Sequence, residues 1–183
     1  MDMYPEVDVP PDPPTPTGDE VVVDVADSLQ DEPSDALREL ISGSAVGQRM
    51  VQIGLSQRGV AESGGPNRGV PLERYCKPFG YRDPIPWCAC FVSWCYWQTT
   101  GARPPWKQPA YVGSVYNWAA THGALVSNPS FGDMFGTGDV HMGMVVARKR
   151  NGVFVTIEGN WADKVLSQER PIGGFWFATP RFG

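Results

Sequence analysis

A cysteine opens an apolar, aromatic-rich segment, Trp87-Cys88-Ala89-Cys90-Phe91-Val92-Ser93-Trp94, which the sequence predicts to be helical over 87–100. Pro84 and Pro86 precede the segment and Gly101 follows it, the usual start and stop signals of a helix. Cys88 therefore falls in the first turn, where backbone N–H groups lack internal partners and the helix dipole is positive, so a thiolate is stabilised there. Downstream stand a candidate base, His141, in His141-Met142-Gly143-Met144-Val145, and two candidate orienting groups, Glu158 and Asn160, in Thr156-Ile157-Glu158-Gly159-Asn160-Trp161. A thiol, an imidazole and an acid or amide are the parts of a nucleophilic acyl-transfer site: the ring takes the thiol proton and the third group holds the ring. The chain has 2 histidines, and the other, His122, ends a predicted helix, which leaves His141 as the better base. Cys90 and Cys95 read as small core residues of the same helix.

These groups need elements to position them. A helix is predicted over 45–57, with Val46, Met50, Ile53 and Leu55 on one stripe, and a shorter one capped by Ser34 carries Ala36, Leu37, Leu40 and Ile41. A brief helix at 71–77 and a longer one at 111–121, ended by Gly123, complete the helical part. From Ala124 the texture turns to short β-prone runs at 125–127, 133–135, 140–148, 153–158 and 175–178. Asn151-Gly152 between two of them is a type I′ hairpin signal, which would set Arg150 opposite Val153, Gly143 opposite Asn160 and Val145 opposite Glu158. Alternate residues share a face, so His141, Gly143, Val145, Glu158 and Asn160 all point one way. In that register Asn160 lies diagonal to His141, nearer than Glu158.

The segments around these residues resemble the CHAP family, cysteine- and histidine-dependent amidohydrolases and peptidases of the NlpC/P60-like group, over roughly 46–183. The carriers are Trp87-Cys88-Ala89-Cys90-Phe91-Val92-Ser93-Trp94, Gly132-Asp133-Met134-Phe135, His141-Met142-Gly143-Met144-Val145 and Glu158-Gly159-Asn160, in that order. The loop Glu62-Ser63-Gly64-Gly65-Pro66-Asn67-Arg68-Gly69 is similar to the segment before the nucleophile in such enzymes. The resemblance implies an α+β, papain-like or NlpC/P60-like fold, with N-terminal helices packed on a C-terminal antiparallel β-sheet. It implies Cys88 as nucleophile, His141 as base, Glu158 as the group orienting the ring, and Asn160 as an aid to the oxyanion or the ring. Trp87, Glu62, Asn67 and Trp161 are the candidate substrate-groove residues, with Trp106 and Tyr111 as further walls; the alternatives are hydrogen bonds that hold the loop together for Glu62 and Asn67, and core packing for at least half of the aromatic residues. The implied substrate is bacterial peptidoglycan, cut by an N-acetylmuramoyl-L-alanine amidase or an endopeptidase. Two departures stand out: Phe131 precedes Gly132 where the family has proline, and the acidic cluster that binds calcium in some relatives is reduced to Asp83. No metal and no cofactor are therefore expected. The 4 cysteines show no paired C-x-x-C spacing, so free thiols are expected rather than a structural zinc site.

The bulk properties frame these readings. The 183 residues are 42% hydrophobic with 7 tryptophans, enough for one domain with a core plus a tail. From Met1 through Ala36 there are eleven acidic residues and no lysine or arginine, and seven prolines fall in the first 33 residues, five of them between Pro10 and Pro16. Residues 1–33 are therefore expected to form a stiff, extended arm or linker, and 34–183 the catalytic domain. The remainder holds nine acidic against fifteen basic residues. That positive surplus suits an anionic polymer such as a cell wall. The opening Met1-Asp2-Met3-Tyr4-Pro5 has no basic or apolar signal region, so no Sec address is expected, and no membrane or nucleic-acid partner. Together with a chain ending soon after the last predicted strand, this favours a phage enzyme: a virion- or tail-associated lysin held by its arm, or an endolysin. The alternatives are a non-catalytic virion or assembly protein retaining the fold, a toxin delivered by a secretion system, and an intracellular amidase.

Overall fold

The computed structural model describes residues 43–149, 152–171 and 173–181. The arm at 1–33, the short helix capped by Ser34 and Asn151 of the expected turn lie outside them. Helix α1 (Ala45–Leu55) begins where Ser44 Oγ accepts the Gly47 N–H at 3.0 Å. The same hydroxyl donates to the Pro180 carbonyl at 2.9 Å, tying the start of α1 to the segment beyond the last strand. The brief helix expected at 71–77 is one turn of π-helix, Pro71–Cys76, running into a 3-10 turn, Lys77–Phe79.

Helix α2 (Cys88–Thr100) buries every residue from Cys88 through Tyr96, as a helix apolar on all sides must. Gly101 stops it in the left-handed region at φ 69°, its N–H on the Trp97 carbonyl at 2.8 Å. Tyr75 from the π-turn wedges between the first two turns of α2, with ring centroids 5.6 Å from Trp87, 5.3 Å from Phe91 and 5.1 Å from Trp94. Helix α3 (Val112–Thr121) follows. No helix of the described residues is long and apolar enough to cross a membrane.

Among the described residues six strands form one antiparallel sheet: β1 (Leu125–Val126), β2 (Met134–Thr137), β3 (His141–Arg148), β4 (Val153–Trp161), β5 (Lys164–Pro171) and β6 (Trp176–Ala178). Their order across the sheet is β1-β6-β2-β3-β4-β5. The expected mixture of helices followed by an antiparallel sheet is therefore found. Met134, Met142, Met144 and Ile157 join the main core with the helices, while Phe135, Val145, Phe154 and Phe177 form a smaller cluster. Side chains alternate along a strand, so the two clusters occupy opposite faces.

Two expectations about the sheet are corrected. Strand β5 was not foreseen, because Ser167-Gln168-Glu169-Arg170 lacks apolar alternation and its turn from β4 contains no glycine. Ala162 and Asp163 nonetheless adopt φ 51° and 60°, the paired left-handed conformations of a two-residue hairpin joining Trp161 to Lys164. The β3–β4 register also differs from the two-residue turn: Val145 faces Thr156, not Glu158. The Lys149 N–H donates to the Val153 carbonyl at 2.7 Å, which leaves three residues in the connection, and a bulge between Val145 and Ala147 completes the shift.

The sheet meets α2 closely at Gly159. A Cβ there would lie 2.7 Å from Phe91 Cβ and 2.8 Å from Trp87 Cζ3, so only glycine lets β4 approach the first turn of α2. Gly159→Ala is expected to destabilise the fold by about 1–3 kcal/mol through overpacking, read from urea denaturation. Gly173→Ala, where a Cβ meets nothing within 4 Å, should leave the midpoint unchanged. Equal midpoints for the two variants would show that β4 can retreat from α2.

Candidate active site

Cys88 is the first residue of α2, capped by Trp87 without a side-chain hydrogen bond. Its thiol stands near enough to the His141 ring to favour the protonated imidazole. His141 opens β3, and its Nε2 lies 2.7 Å from Glu158 Oε2 on β4. With Nε2 engaged by the carboxylate, Nδ1 is the nitrogen left for the thiol. The three side chains are nearly closed to solvent: Cys88 is 4% exposed, His141 7% and Glu158 0%. Burial pulls the imidazole toward its neutral form, but the hydrogen bonds with Cys88 and then Glu158 outweigh it and raise the ring from 6.5 to about 9. Burial likewise works against the Glu158 carboxylate. Hydrogen bonds from Arg170, His141 and Thr156 reverse the sign and hold Glu158 at about 2.

Two of these partners were not singled out by the sequence. Thr156 Oγ1 donates to Glu158 Oε1. Arg170 on β5 makes a two-pronged contact, Nε to Oε1 at 2.6 Å and Nη2 to Oε2 at 2.6 Å. Thr156 was legible in principle, since a polar residue two positions before Glu158 shares its face. Arg170 was hidden with the strand that carries it. Glu158 fits into the sheet because Gly143 has no side chain: a Cβ at Gly143 would lie 2.8 Å from Glu158 Cγ.

The other expected site residues are distributed differently. Trp161 stands beside the imidazole, ring centroids 5.2 Å apart, and remains 41% exposed. Asn160 adopts φ 58° and its Nδ2 donates to Asn67 Oδ1 at 3.3 Å, so its carboxamide is turned to the 62–69 loop. Glu62 Oε1 accepts from Trp87 Nε1 at 2.8 Å and Oε2 accepts from the Asn67 N–H at 2.6 Å. Trp87 is fully buried, which corrects its expected place on a groove wall: its indole instead anchors the loop to the cap of α2. Trp106 is buried as well, donating to Ser93 Oγ at 2.8 Å, whereas Tyr111 is 55% exposed. Both line a cleft of about 550 Å³ whose rim reaches Asp139, two residues before His141.

The remaining thiols are buried and free. A hydrogen bond with Cys76 and then burial push the Cys90 thiol far above its usual range, and burial does the same to Cys95. Asp133, on the Gly132-Asp133-Met134 element, accepts from the Ser130 N–H and the Thr179 hydroxyl, both at 2.7 Å, and so braces the strands behind the site.

No family model matches the chain, and no curated protein matches it. Among solved structures the chain is similar to RipD from Mycobacterium tuberculosis, described as a non-catalytic NlpC/p60 domain protein adapted to peptidoglycan binding. The likeness has 17% sequence identity and a TM-score of 0.45, over 74% of this chain and 97% of that one.

The site's electrostatics set a pH signature. His141, raised from 6.5 to about 9, contributes stability in full below 6.5 that is lost as pH rises through 9. Glu158, lowered from 4.5 to about 2, contributes above 4.5 and loses it as pH falls toward 2. Both contributions are therefore complete between these limits, from 4.5 to 6.5. In Glu158→Gln the ring should titrate well below 9, which NMR can follow because only 2 histidines contribute signals. An unchanged His141 midpoint in that variant would show that the carboxylate does not govern the ring.

Proposed function

We propose that this chain is a cysteine-dependent amide hydrolase of peptidoglycan, an amidase or endopeptidase. The observation that carries the reading is an imidazole whose Nε2 lies 2.7 Å from a buried carboxylate, with the Cys88 thiol as a further neighbour that favours its protonated form. The substrate class rests on the four motifs shared with the CHAP family, and the positive surplus of 37–183 favours an anionic wall polymer.

The chemistry follows from the placement. His141 Nδ1 takes the Cys88 proton, and Glu158 steadies the resulting imidazolium through Nε2. The thiolate attacks the amide carbonyl, and the Cys88 N–H at the start of α2 faces the developing oxyanion. His141 returns its proton to the departing amine, leaving a thioester. Water then gives a proton to His141 and attacks the thioester, releasing a carboxylic acid and restoring the thiol. The exposed face of Trp161 borders this centre as a wall for the substrate.

Cys88→Ala is expected to reduce release of soluble fragments from purified sacculi by about a thousandfold or more while the fold stays intact. Glu158→Gln should depress turnover much further than Asn160→Ala, since the carboxamide of Asn160 is committed to the loop. Wild-type protein that binds sacculi yet releases no fragments detectable by mass spectrometry would replace the enzyme reading with a binding module.

The acidic, proline-rich arm belongs to the same proposal as a mount on a virion or tail protein. Deleting 1–33 should leave sacculus hydrolysis unchanged and abolish co-purification with a particle. Loss of hydrolysis in the truncated chain would instead make the arm part of the catalytic unit.

A further inference from the structure

We infer that Arg170 is a positioning residue, whose guanidinium fixes the Glu158 carboxylate and the Trp161 indole around His141 and thereby sets which ring nitrogen faces Cys88. A carboxylate offers about four acceptor positions, and all four on Glu158 are occupied. Oε1 receives Thr156 Oγ1 and Arg170 Nε, while Oε2 receives Arg170 Nη2 and lies 2.7 Å from His141 Nε2. The two-pronged guanidinium and the hydroxyl hold the group as its carboxylate, which can only accept. His141 must then donate from Nε2, so the neutral ring carries its hydrogen there and presents the Nδ1 lone pair to the thiol.

The surroundings select arginine rather than lysine. The guanidinium carbon lies 4.2 Å from the Trp161 ring centroid, 5.9 Å from Phe135 and 5.8 Å from Phe175, and the side chain is 13% exposed. A planar, delocalised cation can lie against three aromatic rings while presenting two parallel donors; an ammonium supplies the charge without the fork or the flat face. Trp161 thereby touches both Arg170 and His141. The charged and titratable groups facing Glu158 are Arg170 from β5 and His141 from β3, with Cys88 of α2 behind the ring.

The consequence for turnover rests on the hydrolase reading above, but the clamp itself can be read without substrate. In isotope-labelled protein, the Glu158 carboxyl carbon and the His141 ring nitrogens are followed by NMR through a pH titration. Wild type should show the Nε2–H form once the ring has lost its second proton at high pH, and a carboxyl that stays ionised to the acid limit of the fold. Arg170→Met should move the Glu158 midpoint up by about 1–3 pH units and reduce the Nε2–H population. Arg170→Lys, which keeps the cation, should move it less and restore part of the hydrolysis lost in Arg170→Met. Should Arg170→Met fail to fold, Arg170→Lys and Thr156→Val carry the test, each expected to shift the same midpoint upward. A folded Arg170→Met with wild-type midpoint and ring form overturns the inference, as do unchanged midpoints in both Arg170→Lys and Thr156→Val. A shifted midpoint in a protein that releases nothing from sacculi leaves the clamp standing and removes the hydrolase reading. Cys88-dependent hydrolysis with no shift does the reverse.

Discussion

A carboxylate closed to solvent is the constraint around which this chain is arranged. Removing Glu158 from water costs several kcal/mol unless its lone pairs and its charge are met by fixed donors, and a partly met buried charge is worse than none. The donors come from three strands: His141 from β3, Thr156 from β4 and Arg170 from β5. Strand register is thus specified by electrostatics as well as by apolar alternation. A one-residue slip of either outer strand would carry its donor to the opposite face and leave the carboxylate short of a partner. The chemistry and the fold therefore impose the same requirement on the sheet.

Meeting that requirement leaves no spare volume. Gly143 lets Glu158 lie across β3, and Gly159 lets β4 press against Trp87 and Phe91 at the start of α2. The first contact brings the acid to the imidazole. The second brings the strand carrying the acid to the helix carrying the thiol. Behind them, Tyr75 packs on Trp87, Phe91 and Trp94, and its hydroxyl meets Gln57 Oε1 at 3.1 Å, so the cap of α2 rests on a braced aromatic layer. Glu62 ties that cap to the 62–69 loop through the Trp87 indole.

Much of this was legible from residue types and periods. The helices at 45–57, 87–100 and 111–121 announced themselves through apolar spacing and glycine stops, and they occur at Ala45–Leu55, Cys88–Thr100 and Val112–Thr121. The β3–β4 register was wrong by two residues, yet the conclusion that His141 and Glu158 share a face survived, because a shift of two preserves parity. What changed was proximity: the shift moved Glu158 toward the ring and left Asn160 to turn away at φ 58°. Arg170 could not be read from local pattern. Its strand is polar, its turn relies on Ala162 and Asp163 in left-handed conformations, and its partners lie on other strands. Trp87 misled for a different reason: an aromatic beside a candidate nucleophile suggests a wall, whereas its indole N–H has an acceptor in Glu62.

Four thiols lie in this core, three of them within α2, and the helix alone does not choose among them. Cys90 and Cys95 share the apolar surroundings of Cys88 but face Cys76 and closed hydrocarbon, where burial opposes a thiolate and no base stands ready to take the proton. Cys88 differs in two respects that are both positional. It occupies the first turn, with unpaired backbone N–H groups beside it, and it contacts the one imidazole that a buried carboxylate holds. Neither condition is visible in the cysteine itself. On the proposed hydrolase reading, the sulfur is selected by the close packing of Gly159 on Phe91 and by the strand register that sets Glu158 against His141, so a packing change outside Cys88, His141 and Glu158 is expected to silence it.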